Sequence, residues 1–126
     1  VRQGDRILLD DAYNSNKNGF KAALDTLEMF RELRILLTPG MVELGEKQYD
    51  ENKEVGVYAA GKCDYAVLVG KEQTKPIQDG LLEAGFPANR MILVDDLQEA
   101  FRMVNAIPGE KQKIILIEND LPDNYA

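Results

Sequence analysis

The chain has 126 residues and a mass of 14.1 kDa, and 44% of its residues are hydrophobic, enough for one globular domain with its own core. A net charge of -7 argues against binding to a nucleic-acid backbone, where affinity comes from Lys and Arg displacing counterions, although it leaves a single nucleotide ligand open. With no histidine and one cysteine, Cys63, the sequence offers neither an intrachain disulfide nor a recognisable zinc set, and it holds no membrane-spanning apolar run or signal pattern. A soluble, cytoplasmic protein without membrane or nucleic-acid partners is expected.

Val1-Arg2-Gln3-Gly4-Asp5 leads straight into the first apolar run, Ile7-Leu8-Leu9, which reads as a piece of a longer polypeptide. Further short runs follow at Ile35-Leu36-Leu37, Tyr65 to Val69, Met91 to Val94 and Ile114 to Ile117. None alternates with polar residues, as is typical of strands buried on both faces. Phe20, Ala23, Leu24 and Leu27 follow the i, i+3, i+4, i+7 spacing of an amphipathic helix, as do Leu97, Ala100, Phe101 and Val104. A helix is also predicted over roughly Lys47 to Ala60; it is the least periodic, with Val55 and Ala59 its clearest inward residues. Thr74 and Pro76 suit the first turn of another helix, which Gly85 closes. Asp96 with Glu99 resembles a capping box for the last helix, ended by Pro108-Gly109, and Leu121 to Ala126 reads as loop or an incomplete element. The alternation predicts an α/β fold: a doubly wound, mostly parallel, Rossmann-like sheet of about five or six strands with helices on both faces.

In such sheets ligands bind beyond the carboxyl ends of the strands. The residues there are Asp10-Asp11 with Tyr13-Asn14-Ser15-Asn16, then Thr38-Pro39-Gly40-Met41, Gly70-Lys71, Asp95-Asp96 and Glu118-Asn119-Asp120. Polar loops at strand ends are also what solvent exposure alone would produce.

Two motif readings fail on context. Gly56, Gly61 and Lys62 match the phosphate-loop pattern G-x-x-x-x-G-K, with Cys63 at the Ser/Thr position. A working loop follows a strand and opens a helix, whereas this one closes a helix and precedes a strand. Gly61 reads instead as a helix terminator and Cys63 as a small buried residue. A phosphoacceptor receiver domain would share the length and the paired Asp10-Asp11. It would need an Asp at the end of the third strand, where Gly70-Lys71 stands, and a Lys after the fifth, where Glu118 stands.

A longer match runs through Leu9-Asp10-Asp11-Ala12-Tyr13-Asn14-Ser15-Asn16, then Ala22-Ala23-Leu24-Asp25-Thr26-Leu27, then Met41-Val42-Glu43-Leu44-Gly45. Together these segments resemble the carboxyl-terminal domain of the Mur ligase family, nearest to members that add D-alanyl-D-alanine to a UDP-muramoyl tripeptide and carry D-D-x-Y-N-x-N-P and G-D-M-x-E-L-G. Lys17 replaces the proline of the first motif, and Thr38-Pro39-Gly40-Met41 replaces the start of the second. No His follows Gly45, and Glu118-Asn119-Asp120-Leu121-Pro122 stands where a glycine-serine-arginine segment is usual.

The resemblance implies that the whole chain, 1–126, is one domain of an ATP-dependent amide-bond ligase of peptidoglycan precursor synthesis. In that chemistry ATP and Mg2+ activate a carboxylate as an acyl phosphate, which an amine then attacks. ATP and Mg2+ would be held mainly by a central domain of the same polypeptide; this domain would close over the nucleotide, with UDP-muramoyl peptide and an amino acid or dipeptide as substrates. It implies no catalytic residue here and an inactive isolated domain. Asp11 would accept from ribose hydroxyls, Tyr13 lie against adenine, and Asn14 and Asn16 offer amide donors. Thr38, Met41 and Glu43 would position the incoming amine. Each has a plainer reading: Asn14, Ser15 and Asn16 are ordinary helix caps, Tyr13 and Met41 can simply pack, and Glu43 can be a solvated charge near a helix start. The alternatives are a non-catalytic nucleotide-binding or interaction module of the same fold, and a cyanophycin-synthetase-like ligase domain.

Overall fold

The computed structural model describes residues 2–3, 6–11, 16–42, 44–108 and 112–118, with backbone alone at 2–3 and 10–11. Tyr13, Asn14, Glu43, Gly109, Asn119, Asp120 and the tail 121–126 lie outside the described residues.

Among the described residues, six strands form one sheet in the order β1-β2-β6-β3-β4-β5: β1 Arg2–Gln3, β2 Arg6–Asp11, β3 Leu33–Thr38, β4 Tyr65–Val69, β5 Met91–Val94 and β6 Lys113–Glu118. β1 pairs antiparallel with β2, and the other five strands are parallel. Four helices connect them: α1 Lys17–Glu28, α2 Gln48–Ala59, α3 Lys75–Glu83 and α4 Leu97–Ala106. The expected Rossmann-like α/β architecture is therefore the observed one. A receiver would place its first strand between the second and third in a 2-1-3-4-5 order. Here the first parallel strand, β2, borders only β1 and the last strand, β6, a second reason against that reading.

The order of crossings decides which face each helix covers. α1, α2 and α3 each carry the chain in one direction across the sheet, and α4 carries it back from β5 to the central β6. With right-handed crossovers, the returning helix must lie on the opposite face. The core divides accordingly. Phe20, Leu24 and Leu27 of α1, Val55 and Ala59 of α2 and Ile77 and Leu81 of α3 pack on Leu36, Ala66, Leu68, Ile114 and Leu116. On the other face, Ala100 and Val104 of α4 pack on Ile35, Leu37, Val67, Val69 and Ile115. Alternate residues of each central strand thus enter different cores, which is why the apolar runs are continuous. Toward the sheet margins the burial is weaker: Ile7 to Leu9 and Met91 to Leu93 are only half-buried.

Helix ends follow local chemistry. Asn16 caps α1, its side-chain oxygen accepting from the Gly19 N–H at 2.8 Å. At the end of α3, Gly85 adopts φ 89°, and the Phe86 and Gly85 N–H groups donate to the carbonyls of Leu81 and Leu82 at 2.9 and 3.1 Å, a Schellman closure. Asp96 caps α4 by accepting from Glu99 N–H at 2.8 Å, but Glu99 reaches back to the N–H of Asp95, one residue beyond the expected capping box. Gly61 differs from expectation. It has no positive φ, and a Cβ there would meet nothing within 4 Å, so the turn after α2 does not depend on glycine.

The glycine that matters in that motif is Gly56, buried within α2, where a Cβ would fall 2.4 Å from the Ile77 carbonyl oxygen of α3. The phosphate-loop pattern is therefore a helix-packing device. Cys63 is buried as expected, and desolvation pushes its thiol up to about 12. Lys62 is taken by Glu28 at 2.8 Å and Asp25 at 3.3 Å. No helix among the described residues is long and apolar enough to cross a membrane.

Candidate functional site at the carboxyl edge of the sheet

Three strand ends meet at the center of the sheet edge. The parallel register sets Asp11, the last residue of β2, beside Glu118, the last residue of β6. On the other side of Glu118, the hydroxyl of Thr38 at the end of β3 donates to the Glu118 carbonyl at 2.9 Å. Asp11 and Thr38 thus flank one residue, two strand spacings or about 10 Å apart across the sheet. The fold brings the ends of β2 and β3 to either side of β6.

The loop after β3 has a defined shape. The Thr38 hydroxyl also accepts from the Gly40 N–H at 3.0 Å, and Gly40 adopts φ 85°, a conformation that side-chain-bearing residues rarely take. Thr38 and Met41 are both buried, at 0% and 1% exposure, so their side chains shape the loop from inside; Val42 is exposed.

Asn52 of α2 completes this arrangement, and the residue patterns had not singled it out. It is fully buried, its side-chain oxygen accepts from Met41 N–H at 2.8 Å, and its amide nitrogen donates to the Met41 carbonyl at 2.9 Å and the Gln48 carbonyl at 2.8 Å. The signal was present: Asn52, Val55, Gly56 and Ala59 have the i, i+3, i+4, i+7 spacing and are the buried residues of α2. An amide and a glycine on that stripe disguised the helix's periodicity. Gln73 adds a second tie, its side-chain nitrogen donating to the Pro39 carbonyl at 2.7 Å.

The remaining strand ends are largely occupied with their own structure. β4 exits toward α3 and β5 toward α4 on opposite faces, so their ends diverge. Gly70, at φ 96°, bridges them by donating to the Val94 carbonyl at 2.8 Å. The Thr74 hydroxyl donates to the Gly70 carbonyl at 2.6 Å, and Gln78 donates to the Lys71 carbonyl at 2.8 Å. Among the described residues, no group of three His, Cys, Asp or Glu side chains could hold a metal ion.

These features define a doubly wound α/β domain in which the ends of β2 and β3 flank the carboxyl end of β6. Residues 1–118 match the family described as Mur ligase, glutamate ligase domain, and the chain belongs to that family. Over 52 residues, 41% of this chain and 11% of the relative, it is 46% identical to the UDP-N-acetylmuramoyl-tripeptide--D-alanyl-D-alanine ligase of Haemophilus influenzae. Over 56 residues, 44% of this chain and 12% of the relative, it is 36% identical to the enzyme of that name from Buchnera aphidicola subsp. Acyrthosiphon pisum. Its fold resembles MurF from Acinetobacter baumannii, with a TM-score of 0.78 and 21% identity over 95% of this chain and 26% of that one. It also resembles the MurF ligase from Thermotoga maritima in complex with ADP, with a TM-score of 0.73 and 18% identity over the same shares. The chain therefore spans about a quarter of the length of these solved relatives.

Proposed function

We propose that this chain is the carboxyl-terminal domain of a cytoplasmic, ATP-dependent, ADP-forming amide-bond ligase of peptidoglycan precursor synthesis, acting on a UDP-muramoyl peptide and an incoming amino acid or dipeptide. The observation that carries the reading is the family match over residues 1–118, nearly the whole chain. The placement of the β2 and β3 ends on either side of Glu118 supports it, because the two segments that resemble family motifs begin at or just beyond those strand ends.

ATP and Mg2+ belong chiefly to a central domain of the same polypeptide. The described residues offer no metal donor set, and Gly56 to Lys62 form the end of a helix and its turn, so the described residues supply no cradle for the phosphates or the ion. The domain's part is closure, orientation of the amine and exclusion of water from the acyl phosphate. Asp11 accepts from ribose hydroxyls, Tyr13 lies against adenine, and Asn14 and Asn16 donate to the nucleotide. The oxygen of Asn16 caps α1, so its contribution falls to the amide nitrogen. Thr38 and Met41 act on the amine through the backbone shape they impose, and Glu43 through its charge.

The test is Asp11→Ala in the full-length protein. Loss of one charge-assisted hydrogen bond of roughly 1.5–3 kcal/mol lowers turnover or nucleotide affinity on the order of 10- to 100-fold. Normal kinetics, or failure through unfolding alone, would remove the closure role from this loop. A phosphate loop of the form G-T-x-G-K-[ST] encoded some hundreds of residues upstream distinguishes the ligase from a free-standing nucleotide-binding module.

A further inference from the structure

We propose that Asn52 is a positioning residue for the amine-binding loop of the ligase, holding the backbone of Met41 so that the chain leaves it in one fixed direction toward the incoming amine. The inference rests on the ligase reading above and adds to it a residue on a different element, whose side chain lies beneath the site.

The geometry is closed on itself. The Asn52 carboxamide offers one acceptor and two donor hydrogens, and it places them on both polar groups of Met41 and on the carbonyl of Gln48. A backbone unit bound at both its N–H and its C=O by one rigid amide cannot rotate without breaking two hydrogen bonds. A Cβ on Gly40 would lie 3.2 Å from that same Asn52 oxygen, so the loop backbone sits directly on the amide. Thr38 ties the start of the same loop to Glu118, and Gln73 ties Pro39 to the loop after β4. Between Thr38 and Met41 each residue is thus fixed to a different neighbour, and Val42 is the first residue to emerge, half exposed. A helix that needed only to pack would carry an apolar residue at position 52, as it does at Val55 and Ala59 of the same stripe. A buried amide there trades packing for a specified backbone direction.

The experiment is steady-state kinetics on the full-length ligase with Asn52→Ala, Asn52→Asp, Gly40→Ala and Val55→Ala, run well below every variant's melting temperature. Asn52→Asp keeps an acceptor of the same size but loses both donors. Gly40→Ala disturbs the loop with α2 intact, and Val55→Ala weakens α2 without touching the loop. The two Asn52 variants and Gly40→Ala are expected to raise KM for the amine at least 10-fold, with KM for ATP unchanged within about twofold. Val55→Ala is expected to lower the melting temperature with both KM values unchanged. Equal amine KM in Asn52→Ala and wild type, or an equal rise in Val55→Ala, would overturn the positioning role. Wild-type protein that forms no amide with any UDP-muramoyl peptide would instead sink the ligase reading, and the positioning role with it. Amide hydrogen exchange at Met41 then reports separately whether Asn52 holds the loop.

Discussion

Gly56 of α2 and Gly80 of α3 meet backbone to backbone: a Cβ built on Gly80 would lie 3.1 Å from the Gly56 carbonyl carbon and 2.2 Å from the Lys53 carbonyl oxygen. Backbone atoms cannot step aside as a flexible side chain can, so the two helices would have to separate. Alanine gains about 0.5–1 kcal/mol of helix propensity over glycine, while overpacking costs about 1–3 kcal/mol, occasionally more. Gly80→Ala is therefore expected to destabilise the protein by about 1–2 kcal/mol net, and Gly61→Ala, with open space at its Cβ, to be neutral or stabilising. Urea unfolding of the two variants checks the contrast; equal midpoints would show that α2 and α3 do not approach this closely.

On the side of α2 that faces α1, the lysine of the phosphate-loop match is engaged in structure. Lys62 is held by Glu28 and Asp25, and Tyr58 donates to Asp25 at 2.5 Å, so the lysine lies among groups of α1 rather than at a strand end. The isolated 126-residue chain is expected to release no phosphate from ATP and to bind it weakly, with Lys62→Met indistinguishable from wild type in both respects. Phosphate release that Lys62→Met abolishes would restore the rejected motif. Acetyl phosphate should likewise leave the NMR spectrum unchanged around Asp10 and Asp11.

Cys63 gives a pH signature. Desolvation pushes its thiol up to about 12, against about 8.5 for a free cysteine. Between those values the folded state keeps a proton that the unfolded state has lost. The thiol's contribution is therefore fully present below about pH 8.5 and is lost as pH rises toward 12, at up to about 1.4 kcal/mol per pH unit. Urea unfolding of wild type and Cys63→Ala at pH 8, 9.5 and 10.5 isolates it, because the other titrating groups are common to both. Wild type is expected to lose stability relative to the variant as pH rises; a constant difference would mean that the thiol is not desolvated.

The sequence disclosed the fold and part of the candidate site's framework, and the division has a physical cause. The apolar run at Tyr65 to Val69 coincides with β4 because crossovers bury a central parallel strand on both faces, and the run at Met91 to Val94 coincides with β5 at the sheet margin. The pattern Asp10 to Asn16 was legible because polar residues in a motif carry their chemistry in their identity. Asn52 was not, since its meaning lies in a contact eleven residues away with a backbone unit that has no side-chain signature. The same holds for Gly80, whose role depends on the distance to another helix, and for β1, whose two residues pair only once β2 is in place.

Asn16 allows the capping and nucleotide roles of the first loop to be separated within one side chain. Its oxygen accepts from Gly19 N–H at 2.8 Å, and it is the donor side of the amide that the proposed nucleotide contact requires. Aspartate supplies an equally good capping acceptor with no donor and a favourable charge at the helix start. Asn16→Asp is therefore expected to leave stability within about 0.5 kcal/mol of wild type, whereas Asn16→Ala costs about 1 kcal/mol through the lost cap. Both variants lose the donor. If the amide nitrogen meets the nucleotide, KM for ATP in the full-length ligase rises in both, and more in Asn16→Asp, whose carboxylate also repels phosphate oxygens. If Asn16 only caps, KM for ATP stays at the wild-type value in both, and the variants differ only in thermal unfolding. Measuring ATP KM beside melting temperature for the pair decides between these outcomes, because the lost cap ranks Asp above Ala in stability in either case, whereas ATP KM moves only if the amide nitrogen meets the nucleotide.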